Sequence, residues 1–489
     1  MRYGHASSDT ARVLPQGSLY DLQPVGATAK TTPRKTKYAI MPTTPKPSAA
    51  ESHGASAEGT PPSPVNPDDP PPELPIGEYA AYLGWDWGDK AHAIALWSPA
   101  TGRAETEMLP HSAEGVHAWL EALRTRFGGQ RVAIAVEATK GAIVSLLLEH
   151  SWLAIYPVHP ATSRRFSTAF TPSRAKDDGP DAEALLEILR LHRQHLRLLV
   201  PHDEATRRLG LLVEARRTLV NRRTQLSNQL TSLLKNYYPQ ALELTGELRY
   251  APLALDFLER WPELAELQRA REQTLRRFFY AHRVRRPETI DARLGVVRAS
   301  RALSTDRVLC EVSIFEMRAM VAQLRLLQQH IARLDAEIAK RFSAHPEQGV
   351  FASLPQAGAV LAPRLAVLFG VDRARFPSAA SLQTYYGIAP VQERSGRQKW
   401  VHWRWNAPVF ARQTLVEWAG QSTQASVWAK AYYQQQKARG KNHSAILRSL
   451  AFKWLRILWR CWQSRTSYDE SRYLAALQKR NSSLLAQPV

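Results

Sequence analysis

The sequence predicts an α/β domain followed by a mostly α-helical remainder. Three observations carry this expectation. Short apolar runs of strand type follow one another from residue 80 and then alternate with helical stretches. Two long segments of helical period, 204–238 and 314–342, come next. The final part reads as helices separated by turn residues.

Residues 1–75 hold 14 of the 32 prolines, with "TPPSPVNPDDPPPELP" at their end, and this composition opposes both helix and sheet interior. Residues 1–77 are therefore expected to be a disordered tail. Their seven basic and seven acidic residues cancel, which argues against a DNA-binding arm. Order is expected from about Glu78. "YAAYLGWDW", "HAIALWSP" and "GRAETEML" are three strands in succession, and the first ends at Asp86. "SAEGVHAWLEALRTRF" opens on a serine cap and has helical spacing. "RVAIAVE" is a strand covered on both faces and ends at Glu137. A helix over 141–150, the strand "WLAIYPV", a short helix over 160–167 and a helix from about Asp178 to His192 complete the block. The order β-β-β-α-β-α-β-α is the RNase H-like arrangement. The fold class is thus α/β plus mostly α, with an RNase H-type domain at 78–200.

Residues 201–345 are expected to form a helical linker. Its first helix carries seven Lys/Arg and one Glu between 205 and 235. The segment 241–310 is helical in parts and rich in arginine. In 314–342, Met317, Met320, Leu324, Leu327, Ile331, Leu334 and Ile338 advance by alternating three and four, a coiled-coil seam whose partner is either a helix of this chain or a second subunit. A small, mostly helical domain spans 346–465, with helices at 406–420 and 442–462 around a polar loop "VQERSGRQKWVHWRW"; residues 466–489 read as a tail.

The chain carries a formal charge of +21 with pI near 10.1, which favours a polyanionic partner. No apolar run is long enough to span a bilayer, and the N-terminus lacks a secretory layout. Only Cys310 and Cys461 are present, which excludes a disulfide framework and a cysteine metal site and suits a reducing cytoplasm. Between 391 and 489 there are 17 Lys/Arg against four Asp/Glu.

Against this basic background, "AKDDGPDAEALLE" places Asp177, Asp178 and Asp181 within five residues. Residues three apart share a helix face, so Asp178 and Asp181 point together. In an RNase H-like fold the first and fourth strands are neighbours, so Asp86 and Glu137 end in one cleft. Four convergent carboxylates are tolerable around a divalent cation, Mg²⁺ above all, which could assist phosphodiester cleavage. Taken singly, each has a plainer reading: the aspartates as helix caps, Glu137 as a strand-end residue.

Ser395 lies in "ERSGRQK", flanked by Arg394, Arg397 and Lys399, which could hold a phosphate beside a nucleophilic hydroxyl; the plainer reading is a turn on a basic surface. Arg216, Arg217, Arg222 and Arg223 on the basic helix could grip a phosphate backbone, or form a solvated face. Trp400, Trp403 and Trp405 alternate with polar or basic residues, which suits either base stacking or the core of a hairpin.

"DWGDKAHAIAL", "VAIAVEATKG" and "KDDGPDAEAL" resemble the D, E and D-x-x-D elements of the insertion-sequence transposases with a RuvC-like DEDD domain, related to Piv-type invertases and described as bridge-RNA-guided recombinases. "LPQAGAVLAPRLAVLFG…RFPSAASLQTYYGIAPVQERSGRQK" and "RSLAFKWLRILW" resemble that family's C-terminal block. The resemblance covers roughly 80–200 and 345–465. It implies that Asp86, Glu137, Asp178 and Asp181 bind Mg²⁺ and that Ser395 forms a transient phosphoserine link to a DNA end. It further implies DNA target and donor, a structured guide RNA, and a homo-oligomer between dimer and tetramer. Departures are Asp177 for a threonine, Gln356 for a glycine, Arg397 beside the serine, and the Trp400–Trp405 cluster. The alternative is a RuvC-like structure-selective endonuclease, of Holliday-junction resolvase type, that uses only the carboxylates and dispenses with Ser395.

Overall fold

The computed structural model describes residues 79–170, 178–396, 398–402, 404, 407–482 and 484. The proline-rich segment 1–77, Asp177, Arg397, Trp403 and Trp405 lie outside the described residues. Of Asp178 only the backbone is described.

The first strands are β1 (Ala81–Asp86), β2 (Ala91–Trp97) and β3 (Ala104–Pro110). They are followed by α1 (Ala113–Arg126), β4 (Val132–Val136), α2 (Ala142–Glu149), β5 (Leu153–Pro157), α3 (Pro160–Phe170) and α4 (Asp178–His192). This is the order expected from the sequence. The Ser112 hydroxyl caps α1 by accepting from Gly115 N–H at 3.1 Å. The sheet runs β3-β2-β1-β4-β5; β1 is antiparallel to β2 and parallel to β4.

Both faces of this sheet are covered, which is why its central strands are apolar without alternation. One face, with Leu83, Trp85, Ile134 and Val136, packs on Val116, Leu120, Val144 and Leu147 of α1 and α2. The other bears small residues, Ala93, Ala95, Ala133, Ala135 and Ala154, and receives Ala182, Leu185 and Leu186 of α4.

Two long helices follow with a helical insertion between them: α5 (Glu204–Tyr237), then α6 (Gln240–Thr245), α7 (Pro252–Arg260), α8 (Leu264–Arg269), α9 (Glu272–Ala281), α10 (Pro287–Ala299) and α11 (Arg307–Ser343). The described residues form two compact units. One gathers residues 217–333; the other joins 79–216 with 334 onward. The heptad residues of α11 are internal: Met317 and Leu324 are buried with Leu226, Leu230 and Leu234 of α5 in the first unit, and Ile338 with Leu209 and Val213 in the second. Of the two partners left open by the sequence, the helix of the same chain fills the seam.

The remainder contains α12 (Gln348–Ala352), α13 (Gly358–Phe369), α14 (Ala379–Tyr385), a hairpin β6 (Val391–Ser395) and β7 (Gln398–His402), α15 (Val409–Ser422), α16 (Val427–Ala438), α17 (His443–Ser464) and α18 (Glu470–Lys479). Three corrections to the sequence reading stand here. The "polar loop" is an antiparallel hairpin over 391–402. Helix α16 was not anticipated. Part of the expected tail is α18, whose Asp469 side chain caps it through Ser471 N–H. Four tryptophans, Trp418, Trp428, Trp454 and Trp462, are fully buried in this core. Gln356, where the resembling pattern has glycine, takes a left-handed φ of 55°, a conformation that glycine reaches without strain.

Candidate active site

The end of β1 is set by register. Trp85 pairs with Val136 across the parallel β1–β4 ladder, so Asp86 and Glu137 come one step later on neighbouring strands. Side chains alternate along a strand. Gly84 and Asp86 therefore face the same way as Ala135, toward the α4 side, and Glu137 follows the last residue of β4.

Gly84 governs how close α4 comes. A Cβ built at Gly84 would fall 2.0 Å from the Ala182 carbonyl oxygen and 2.5 Å from the Leu186 nitrogen. Only glycine admits this approach of helix backbone to strand backbone. The Arg193 guanidinium at the far end of α4 lies 5.1 Å over the Tyr79 ring, next to the start of β1. Helix α4 thus runs opposite to β1, and its first turn, with Asp181, lies toward the end of β1 that carries Asp86.

Asp86 and Asp181 are half-buried and Glu137 is exposed. Among the described residues, no group of three or more His, Cys, Asp or Glu side chains is close enough to hold a metal ion. The donor types present, carboxylate oxygens, are those a hard divalent cation takes.

Beside Asp86 sits a cluster that the sequence reading missed. His92 is fully buried, and its Nε2 lies 3.0 Å from His111 Nδ1. Burial, then the nearby His111, lowers the His92 pKa from its ordinary value. The Trp87 ring stands 4.6 Å from the His92 ring and 4.9 Å from that of His111. The two imidazoles hold the residue that follows Asp86. Two histidines 19 residues apart, one on β2 and one just past the end of β3, leave no local period to read.

Ser395 lies elsewhere, as the last residue of β6, exposed and followed by Gly396 at φ 57°. Cross-strand pairing places Ser395 opposite Gln398, Glu393 opposite Trp400 and Arg394 opposite Lys399. By alternation Ser395 shares a face with Glu393, Trp400 and His402, while Arg394 and Lys399 point to the other face. The sequence put both cations beside the serine; the strand period separates them from it. Glu393 clasps this face. It accepts from Trp400 Nε1 at 2.7 Å and contacts His402 Nε2 at 2.8 Å, and these bonds, that to His402 first, lower its pKa.

The arginines of α5 differ in surroundings. Arg216 is half-buried and bonds Asp335. Arg223 donates to Gln328 at 2.9 Å and covers the Tyr250 ring at 3.8 Å. Arg217 is half-buried and Arg222 exposed. At least three of the four residues expected to grip phosphate, Arg216, Arg217 and Arg223, thus have partners within the protein.

A mixed sheet bearing acids at adjacent strand ends, joined to a basic helical region, is the form of an enzyme that acts on nucleic-acid strands, and comparison with known proteins narrows the class to transposases. A family model of the DEDD type of IS110 elements, described as "Transposase", matches residues 83–239; a second, "Transposase IS116/IS110/IS902 family", matches 349–434. The chain belongs to the IS110 family of transposases. It is 29% identical over 408 residues to the mini-circle putative transposase for IS117 of Streptomyces coelicolor, covering 81% of this chain and 97% of that protein. An insertion element IS110 protein of the same organism is 27% identical, over 82% of this chain and 98% of its own length. A putative transposase of Sinorhizobium fredii is 30% identical over 42% of this chain and 57% of its own. No helix among the described residues is long and apolar enough to cross a membrane.

Proposed function

We propose that this transposase cuts and rejoins DNA with two sets of side chains: Asp86, Glu137, Asp178 and Asp181 as an acidic set for Mg²⁺, and Ser395 as nucleophile. The observation that carries the acidic half is Gly84, whose missing side chain lets α4 bring its first turn toward the strand ends of Asp86 and Glu137. The sheet order β3-β2-β1-β4-β5 agrees with an RNase H/RuvC-like domain. Bound by these acids, Mg²⁺ would stabilise charge developing on the phosphodiester.

The residues themselves would do the rest. The Ser395 hydroxyl oxygen attacks phosphorus, its proton passes to water, and the bond from phosphorus to the departing strand's oxygen breaks, leaving a phosphoserine. The hydroxyl of an incoming strand end then attacks the same phosphorus and regenerates the serine. The hairpin turn keeps Ser395 exposed for this. A structured guide RNA is proposed to supply sequence choice, with the protein holding backbone and shape. A homo-oligomer of two to four copies is supported by a second stripe on α11: Val308, Val312, Phe315, Ala319, Ala322 and Leu326 advance by four and three and are all exposed.

One observation favours the resolvase reading instead: Arg394 and Lys399 face away from Ser395. Strand-exchange assays separate the two. Asp86→Asn is expected to abolish cleavage without lowering the melting temperature, as is EDTA with the wild type. Ser395→Ala is expected to lose strand exchange and the covalent protein–DNA species while still binding nucleic acid. If Ser395→Ala cuts at the wild-type rate, the serine role is wrong and the carboxylate-only reading stands. Purification with total cellular RNA is expected to retain one discrete RNA; none retained removes the guide.

A further inference from the structure

Residues 240–348 lie between the two segments that the family models match. Several of their arginines are held by partners. Arg276 reaches Glu272 at 2.8 Å and Asp291 at 2.6 Å, and Arg298 also reaches Glu272. Arg325 reaches Asp256 at 2.5 Å and Glu259 at 2.7 Å. Arg293 lies over Phe279, with its centre 4.9 Å from the ring.

The end of α9 and the turn that joins it to α10 gather arginines of another kind. Arg277, Arg283, Arg285 and Arg286 fall within ten residues, all are exposed, and none has a carboxylate partner among the described residues. Glu288 is the nearest acid downstream in sequence, and it too makes no ion pair with them among the described residues. Tyr280, 48% exposed, lies three residues from Arg277 on the same face of α9, and Arg283 follows it at a left-handed φ of 63°. A non-glycine residue there costs on the order of 1 kcal/mol.

Four like charges within ten residues, with no acid paired to them among the described residues, repel one another. The negative end of α9, equivalent to roughly half a charge, offsets only a fraction of four. The missing counter-charge must come from outside the chain. A strand of regularly spaced phosphates meets several exposed guanidiniums at once, each a two-pronged donor.

We propose that the end of α9 with the α9–α10 turn, through Arg277, Arg283, Arg285 and Arg286, is a docking site for the phosphate backbone of a nucleic-acid duplex. It belongs to the unit of residues 217–333, whereas the strand-end acids and Ser395 belong to the other. Its ligand is a run of phosphates, from duplex DNA or from the helical stems of a folded RNA. Tyr280 adds a hydroxyl donor in the midst of the cluster.

The test measures binding rather than cleavage, so its outcome does not depend on how the enzyme cuts. The full chain, wild type and with Arg277→Gln, Arg283→Gln, Arg285→Gln and Arg286→Gln combined, is titrated with a DNA duplex and with an RNA hairpin across a salt series. The combined variant is expected to bind at least one of them tenfold or more weakly. For DNA, the slope of log affinity against log salt should fall by about 3 to 4, at about 0.9 per lost phosphate contact. Loss with DNA alone or RNA alone identifies the source of the phosphates. Replacing the same four by lysine should restore most of the affinity, since backbone contact needs charge. Should the fourfold variant melt early, Arg277→Gln and Arg285→Gln singly should each reduce the slope by about 1. Wild-type affinity and slope on both ligands overturns the proposal.

Discussion

The end of β1 and the β6–β7 hairpin both carry residues proposed for chemistry, and they are built in opposite ways. Asp86 leaves a five-stranded sheet covered on both faces, with α4 seated against Gly84. Ser395 leaves a two-stranded sheet whose side chains are nearly all exposed. A two-stranded ribbon is marginal by itself in water. The contrast teaches that the strand carrying Asp86 is fixed by burial, whereas Ser395 is presented at an exposed surface.

The largest blow to the rigid side of this comparison is Gly84→Val. Its side chain would meet the Ala182 carbonyl and the Leu186 nitrogen, and backbone cannot step aside as a flexible side chain can. We expect a loss of about 3 kcal/mol or more by chemical denaturation, with strand cleavage gone. Wild-type stability would mean that α4 is not held by this contact.

Acidification probes the segment between the sheet and α5. His202 packs against Gly370, and burial first, then the charge of Arg375, lowers its pKa to about 4; Asp203 and Asp372 pull upward and His345 downward. The folded protein therefore holds His202 neutral where an unfolded chain would protonate it. Its effect is nil above about pH 6.5, and stability falls as pH drops from about 6.5 to about 4, by about 2 to 3 kcal/mol. Melting curves of wild type and His202→Gln across that range check this; equal pH profiles would dismiss it.

Two smaller changes sharpen the exposed side. Gln356→Gly relieves a left-handed residue and is expected to raise stability by about 0.5 to 1 kcal/mol in thermal melts. Glu393→Gln exchanges the carboxylate that Trp400 and His402 share. Because that clasp is exposed, we expect no resolvable loss of stability but a change in Trp400 fluorescence anisotropy. A large loss of stability would show that the hairpin is a packed element after all.

Legibility followed the same division. The strands of the sheet could be read because burial on both faces demands unbroken apolar runs, as in Val132–Val136. Asp86, Glu137, Asp178 and Asp181 could be picked out because each closes or opens such an element. The hairpin was missed because "VQERS" and "QKWVH" are polar on both faces and carry no burial signal. The two faces of that hairpin, which part Ser395 from Arg394 and Lys399, emerge only once the pairing register is known.

By itself the sequence determined the succession of strands and helices through His192 and the heptad on α11, since local period and apolar patterning are properties of the chain; that α5 fills the heptad seam came from the fold. Only the tertiary structure decided that Gly84 makes room for α4, that His92 and His111 meet, that Arg216 and Arg223 turn to partners inside the protein, and that the arginines between α9 and α10 do not. Each depends on residues far apart in the chain, and whether a polar group finds a partner is settled by packing, which no local pattern encodes.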